Sequence, residues 1–239
     1  MTSLQHARSV DDREASAEPV QEDARRVRYR TIAGALFAVV GIGFVLAIVS
    51  NEAVYPRRYS TFANTISDLS GTEPPNSIMV EPSRTIFIVM MLVGGVLVLA
   101  GTSLLARSVA RRRLIVAMTI FGVSLVGIGI FPGNVEGWHP LFSLTCFVAG
   151  SVATIMSRKV IDGPFRYFAV GLGTTALVAT VFALESLENW GPQDALGRGG
   201  IERWIAYPVL LWLVGFGVYL MSDRRTPTPS VPQVEGGSR

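Results

Sequence analysis

Six long, uncharged apolar runs constrain this chain more than any other feature of it. They extend from Thr31 to Ser50, Arg84 to Ala106, Leu114 to Phe131, His139 to Met156, Phe168 to Leu184 and Trp204 to Met221. A helix rising about 1.5 Å per residue needs about 20 residues to cross about 30 Å of hydrocarbon. In that medium each peptide group must find its hydrogen bond within the spanning structure, so runs of this length become helices. The expected fold class is therefore all-α: a polytopic integral membrane protein whose residues 31–222 form a six-transmembrane-helix bundle. Composition agrees, because 49% of the 239 residues are hydrophobic and only 16% are charged, against about 25% charged in soluble domains.

Residues 1–30 are rich in charged and small residues and lack apolar periodicity, which predicts a disordered cytoplasmic tail. This tail is too long and polar for the n-region of a signal peptide, so the first helix is expected to be retained. Residues 223–239, rich in proline and glycine, predict a second disordered cytoplasmic tail. Arginine sets the orientation. Arg25, Arg26, Arg28 and Arg30 precede the first span, Arg107 and Arg111 to Arg113 separate the second and third, Arg158, Lys159 and Arg166 separate the fourth and fifth, and Arg224 and Arg225 follow the sixth. Arg57, Arg58, Arg84, Arg198 and Arg203 are all that the other side keeps. Both termini are then expected in the cytoplasm. Lys159 is the sole lysine, a composition that suggests a GC-rich bacterial genome and hence a bacterial plasma or inner membrane.

Several function classes are disfavoured. The net charge of +3 arises from short clusters flanking apolar runs, as topology signals do, rather than from a nucleic-acid-binding face. The lone cysteine, Cys146, has no partner for a disulfide or a CxxC metal site. GLGTT in the fifth span has no strand before it and is not a dinucleotide fingerprint, so no cofactor is expected. No ionisable residue falls near the middle of a span, where coupled transporters usually keep them. Small residues four apart, as in Gly34 and Ala38, Gly43 and Ala47, or Ala149 and Ala153, predict close helix packing, with homo-oligomerisation a secondary use. Trp138, Trp190, Trp204, Tyr55 and Tyr59 read as an interfacial belt.

The three outer loops carry the chemistry. The first contains YPRRYSTFANTISDLSGTEPPNS, in which Phe62, Ile66 and Leu69 repeat at helical spacing while Asn64, Ser67 and Asp68 fall off that stripe. This predicts a short interfacial helix. FPGNVEGWHP places His139 before Pro140 at the start of the fourth span. GGIERWIAYP brings Glu202 and Arg203 to the mouth of the sixth. Three loops distant in sequence thus offer Asp68, His139, Glu202 and Arg203 at similar depth.

NTISDLS, FPGNVEGWHP and GIERWIAYPVLLW together resemble the bacterial membrane family called domain of unknown function 998, over the whole membrane region. The resemblance implies a six-helix layout and singles out Asn64, Ser67, His139, Glu202 and Arg203. ISD is also distantly similar to eukaryotic Frag and DRAM-type six-span membrane proteins, some of which are linked to lipid handling or autophagy.

Two readings follow. In one, the outer cluster binds or modifies a lipid headgroup or lipid-linked substrate, making membrane lipids the partners. Arg203 and Asn64 then bind, Asp68, His139 and Glu202 serve as acid or base, and Ser67 is a nucleophile if His139 lies within hydrogen-bond reach. A metal held by Asp68, His139 and Glu202 is a variant thinly supported by one histidine. In the other reading the protein is a non-catalytic scaffold whose cluster caps helices and locks the loops. A small-solute transporter is a weaker third.

Overall fold

The computed structural model describes residues 2–55, 59–185 and 193–222, with side chains described outside 2–20, 185, 193 and 194. The C-terminal tail, Arg57, Arg58, Trp190, Arg224 and Arg225 lie outside the described residues. The described chain is helical, with no strand: α1 (Thr2–Val54), α2 (Ser83–Ala106), α3 (Arg112–Ile130), α4 (Trp138–Met156), α5 (Phe165–Glu185) and α6 (Gln193–Ser222). All six are long and apolar enough to cross a membrane. α1 reaches back through residues 21–30, which composition had assigned to the tail. Strong helix formers fill that stretch, and Arg26 pairs with Glu22 one turn earlier at 2.6 Å.

Each helix packs against the next in the chain, and α6 closes back onto α1, so the six form a ring. Gly34 on α1 and Gly217 on α6 face each other so closely that a Cβ on either would meet the other's carbonyl oxygen. Gly34 and Ala38, and likewise Ala149 and Ala153, therefore lie on packing faces. Gly43 is different: it faces outward with nothing near it. Beside the end of α4, buried Trp212 stacks on Phe216, which stacks on Phe37, and the Trp212 indole N–H donates to Ser157 Oγ at 2.9 Å. The outer faces are apolar, with Val39, Leu46, Val96 and Leu211 more than half exposed, as a lipid-facing surface requires.

One end of the ring carries the α2–α3 and α4–α5 connections, where Arg107, Arg111, Arg112, Arg113, Arg158, Lys159 and Arg166 are exposed. The other end carries the long loop after α1 and is called the loop end below. That loop does not form the expected interfacial helix. It turns through residues 61–64 and makes a single 3-10 turn, Ser67–Leu69. Ile66 and Leu69 are buried as their spacing implied, whereas Phe62 is exposed. Side chains take the backbone groups that a helical ladder would have used. Asp68 accepts from Thr65 N–H, Glu202 accepts from Ile66 N–H, and Arg203 donates to the carbonyls of Thr61 and Asn64.

Candidate functional site

The first loop enters the loop end of the bundle and is tied to three other elements there. Ser83 Oγ, at the start of α2, donates to Leu69 O at 2.8 Å. Ser70 Oγ donates to Ser67 O at 2.7 Å and accepts the Gly133 N–H at 2.8 Å, joining the loop after α1 to the α3–α4 loop. Gly133 must be glycine-sized, because a Cβ there would overlap Gly71 O. From α6, Gly199 N–H donates to Phe62 O at 3.0 Å.

Arg203 makes the densest of these ties. Its Nη1 donates to Gly199 O at 2.8 Å, Asn64 O at 3.0 Å and Thr61 O at 3.1 Å. Its Nη2 pairs with Glu52 of α1 at 2.5 Å and donates to the Tyr59 hydroxyl at 2.8 Å. Tyr59 in turn donates to Thr65 O at 2.9 Å. Burial raises the Tyr59 phenol above its ordinary range, which keeps the proton this bond requires. Tyr59 is therefore part of the clamp and not of an interfacial belt, while Trp138 and Trp204 remain half-exposed as belt residues do. Glu52 lies just past the first apolar run and carried no signal of its own. Its role follows only from its partner.

The neighbouring Glu202 points elsewhere, since consecutive helical residues lie about 100° apart. Its carboxylate accepts the backbone N–H of Ile66 and, beside it, that of Ser67. Asn64 and Asp68 serve the loop itself. Asn64 Oδ1 accepts from Ser60 N–H at 3.0 Å, and Asp68 Oδ2 accepts from Thr65 N–H at 2.9 Å and Asn64 Nδ2 at 3.3 Å.

His139 joins α3 to α4. Its Nδ1 lies 2.8 Å from Phe131 O at the end of α3, and its Nε2 lies 3.2 Å from Ser143 Oγ one turn along α4. Ser67 Oγ is bonded instead to Thr65 Oγ1 at 2.9 Å. Ser143 was not among the residues anticipated from sequence; its only signal is the i, i+4 spacing from His139.

Ser67, His139, Ser143 and Glu202 converge on two adjoining cavities. The inner one, about 70 Å³, runs into the bundle between Phe44, Phe87, Phe121 and Leu210. The outer one, about 180 Å³, also meets Thr65, Pro140, Ala183 and the Glu73–Arg198 ion pair. Ser67, His139, Ser143 and Glu202, with Phe147 and Ile205, line both cavities, so polar groups collar the junction of a mouth and an apolar shaft. Of the six anticipated residues, Ser67, His139 and Glu202 meet there, while Asn64, Asp68 and Arg203 hold the roof in place. No group of three or more metal-ligating side chains occurs among the described residues.

The Glu73–Arg198 pair at the rim spans 3.1 Å with both side chains mostly exposed. Water screens such a pair, so Arg198→Ala is expected to lower unfolding stability by less than about 1 kcal/mol, measured by thermal unfolding in detergent.

A family model described as a protein of unknown function, DUF998, matches residues 38–219. No curated protein and no solved structure matches the chain.

Proposed function

This chain belongs to the DUF998 family of proteins of unknown function, and on that premise we propose that it binds a membrane lipid in the collared cavity at the loop end of its bundle. The observation that carries the reading is the adjacency of the two cavities, which share six lining residues: a mouth with polar groups and an ion pair at its rim adjoins a shaft walled by aromatic and aliphatic side chains. An amphipathic ligand matches that division, its headgroup or ester region meeting Ser67, His139, Ser143 and Glu202 while the first methylenes enter the shaft. A soluble polar solute would leave the shaft unused. The exposed arginines at the opposite end support placing the loop end outward, in a bacterial plasma or inner membrane with both termini cytoplasmic.

The scaffold reading gains from Arg203, Asn64 and Asp68, whose bonds to the chain's own groups account for them without a ligand. It offers no reason for His139, Ser143 and Glu202 to ring a cavity. The two readings part on one experiment: full-length protein in nanodiscs carrying a diazirine phospholipid, with cross-links mapped by mass spectrometry. The lipid reading expects cross-links concentrated on residues 65–67 and 139–147, and reduced several-fold when Ala206→Phe fills the shaft in a protein that still melts cooperatively. Cross-links spread evenly around the bundle and indifferent to Ala206→Phe would leave the scaffold reading in possession.

A further inference from the structure

We propose that Ser143 is a nucleophile with His139 as its base, so that the cavity takes a lipid carboxylic ester and transfers its acyl group through Ser143. This rests on the lipid-binding reading above and adds a reaction to it.

The hydrogen bonds of the imidazole determine its roles. Phe131 O can only accept, so the nitrogen 2.8 Å from it, Nδ1, carries the proton. In the neutral ring Nε2 then holds a lone pair, and Ser143 Oγ at 3.2 Å is the donor. A nucleophile bonded to a base, whose orientation a third group fixes, is the arrangement that activates serine hydroxyls.

Ser143 also departs from the other hydroxyls of its own helix. Thr145 donates to Leu141 O at 2.7 Å, Ser151 to Phe147 O at 2.7 Å and Thr154 to Gly150 O at 2.8 Å, each to the carbonyl four residues back. That is the ordinary resting state of a hydroxyl in a membrane helix. Ser143 alone of these four turns to an imidazole, at the junction of shaft and mouth. The shaft beside it offers an apolar wall to an acyl chain, and His139, buried at 7% exposure, is held away from bulk water.

Ser67 lines the same two cavities from the loop. Thr65 Oγ1 accepts from the Asp68 N–H at 3.2 Å and lies 2.9 Å from Ser67 Oγ. With Thr65 donating to Ser67, the Ser67 proton is free to bond an oxyanion forming in the cavity.

The steps balance with water as the co-reactant. Ser143 Oγ attacks the ester carbonyl carbon as its proton passes to His139 Nε2. The carbonyl–oxygen bond to the leaving alcohol breaks and that alcohol takes the proton from Nε2. A water, losing its proton to Nε2, then attacks the acyl-serine ester, and the carboxylic acid leaves as Ser143 regains its proton.

The test uses full-length protein in phospholipid nanodiscs and a long-chain alkyl fluorophosphonate, which forms a stable adduct with activated serines. Peptide mapping is expected to find the adduct on Ser143. Ser143→Ala should abolish it, Ser67→Ala should slow it, and His139→Gln should slow it by about 100-fold or more. An unlabelled wild-type protein that still cross-links the diazirine lipid at 139–147 would overturn the reaction and leave lipid binding standing, whatever the folding of the variants. An adduct on Ser67 in place of Ser143 would overturn the assignment. Loss of the cross-links as well would remove the lipid reading on which this one depends.

Discussion

Arg203→Ala is expected to destabilise the protein by about 3–5 kcal/mol, far more than removal of the exposed Arg198 from the same end. Arg203 is 9% exposed, and its guanidinium serves five acceptors on three parts of the chain. Its removal leaves the Glu52 carboxylate without its partner and strips the carbonyls of Thr61 and Asn64 of a donor that water cannot easily replace. Arg203→Lys keeps the charge but loses the fork that reaches both the carbonyls and Glu52, so its loss should be intermediate. Thermal unfolding of the detergent-solubilised full chain measures the series. If Arg203→Ala and Arg198→Ala melt alike, the clamp described here does not exist.

Gly199→Val should act on the same contact from the backbone side. A Cβ at Gly199 would fall on the carbonyl oxygens of Asn64 and Thr61, the two loop acceptors of Arg203. The substitution therefore forces the loop off α6, with an expected loss of about 1–3 kcal/mol or more and increased protease cleavage within residues 59–71. Gly200→Ala is the matched control. Its nearest neighbour is a single side-chain carbon at 3.3 Å, and alanine favours helix over glycine by about 0.5–1 kcal/mol, so that variant should be neutral or slightly stabilised. Equal behaviour of the two variants would mean that the loop does not sit against the start of α6.

The fold was legible because hydrocarbon leaves a chain few choices: apolar runs with no ionisable residue at their centres can only become helices, and α2 to α5 emerge within about three residues of their expected bounds, whereas α1 and α6 begin well before theirs, in polar stretches that hydropathy does not mark. The loop was half legible. The spacing of Ile66 and Leu69 marked them as buried, but periodicity cannot tell a helix from a turn whose backbone is bonded by distant side chains. Here the acceptors and donors come from Glu202 and Arg203, more than a hundred residues away. Those two residues read as one pair and have separate roles, because adjacent positions on a helix face different neighbours. Asp68 and Asn64, singled out beside Ser67, turn inward to their own loop, since short polar side chains reach nearby backbone first. Ser143 could not be picked out from the other hydroxyls of α4 in sequence, since its distinction lies in which partner it chose.

The loop from 59 to 71 forms a roof, pinned by α6, over a cavity collared by His139, Ser143 and Glu202. Hydrogen–deuterium exchange of the full-length protein in nanodiscs reads this directly at the Ile66 amide, which donates to Glu202. Slow exchange is expected across residues 64–70 in the wild-type protein and rapid exchange there in Arg203→Ala, while α2 and α3 stay protected. Rapid exchange of the same segment in the wild-type protein would contradict it.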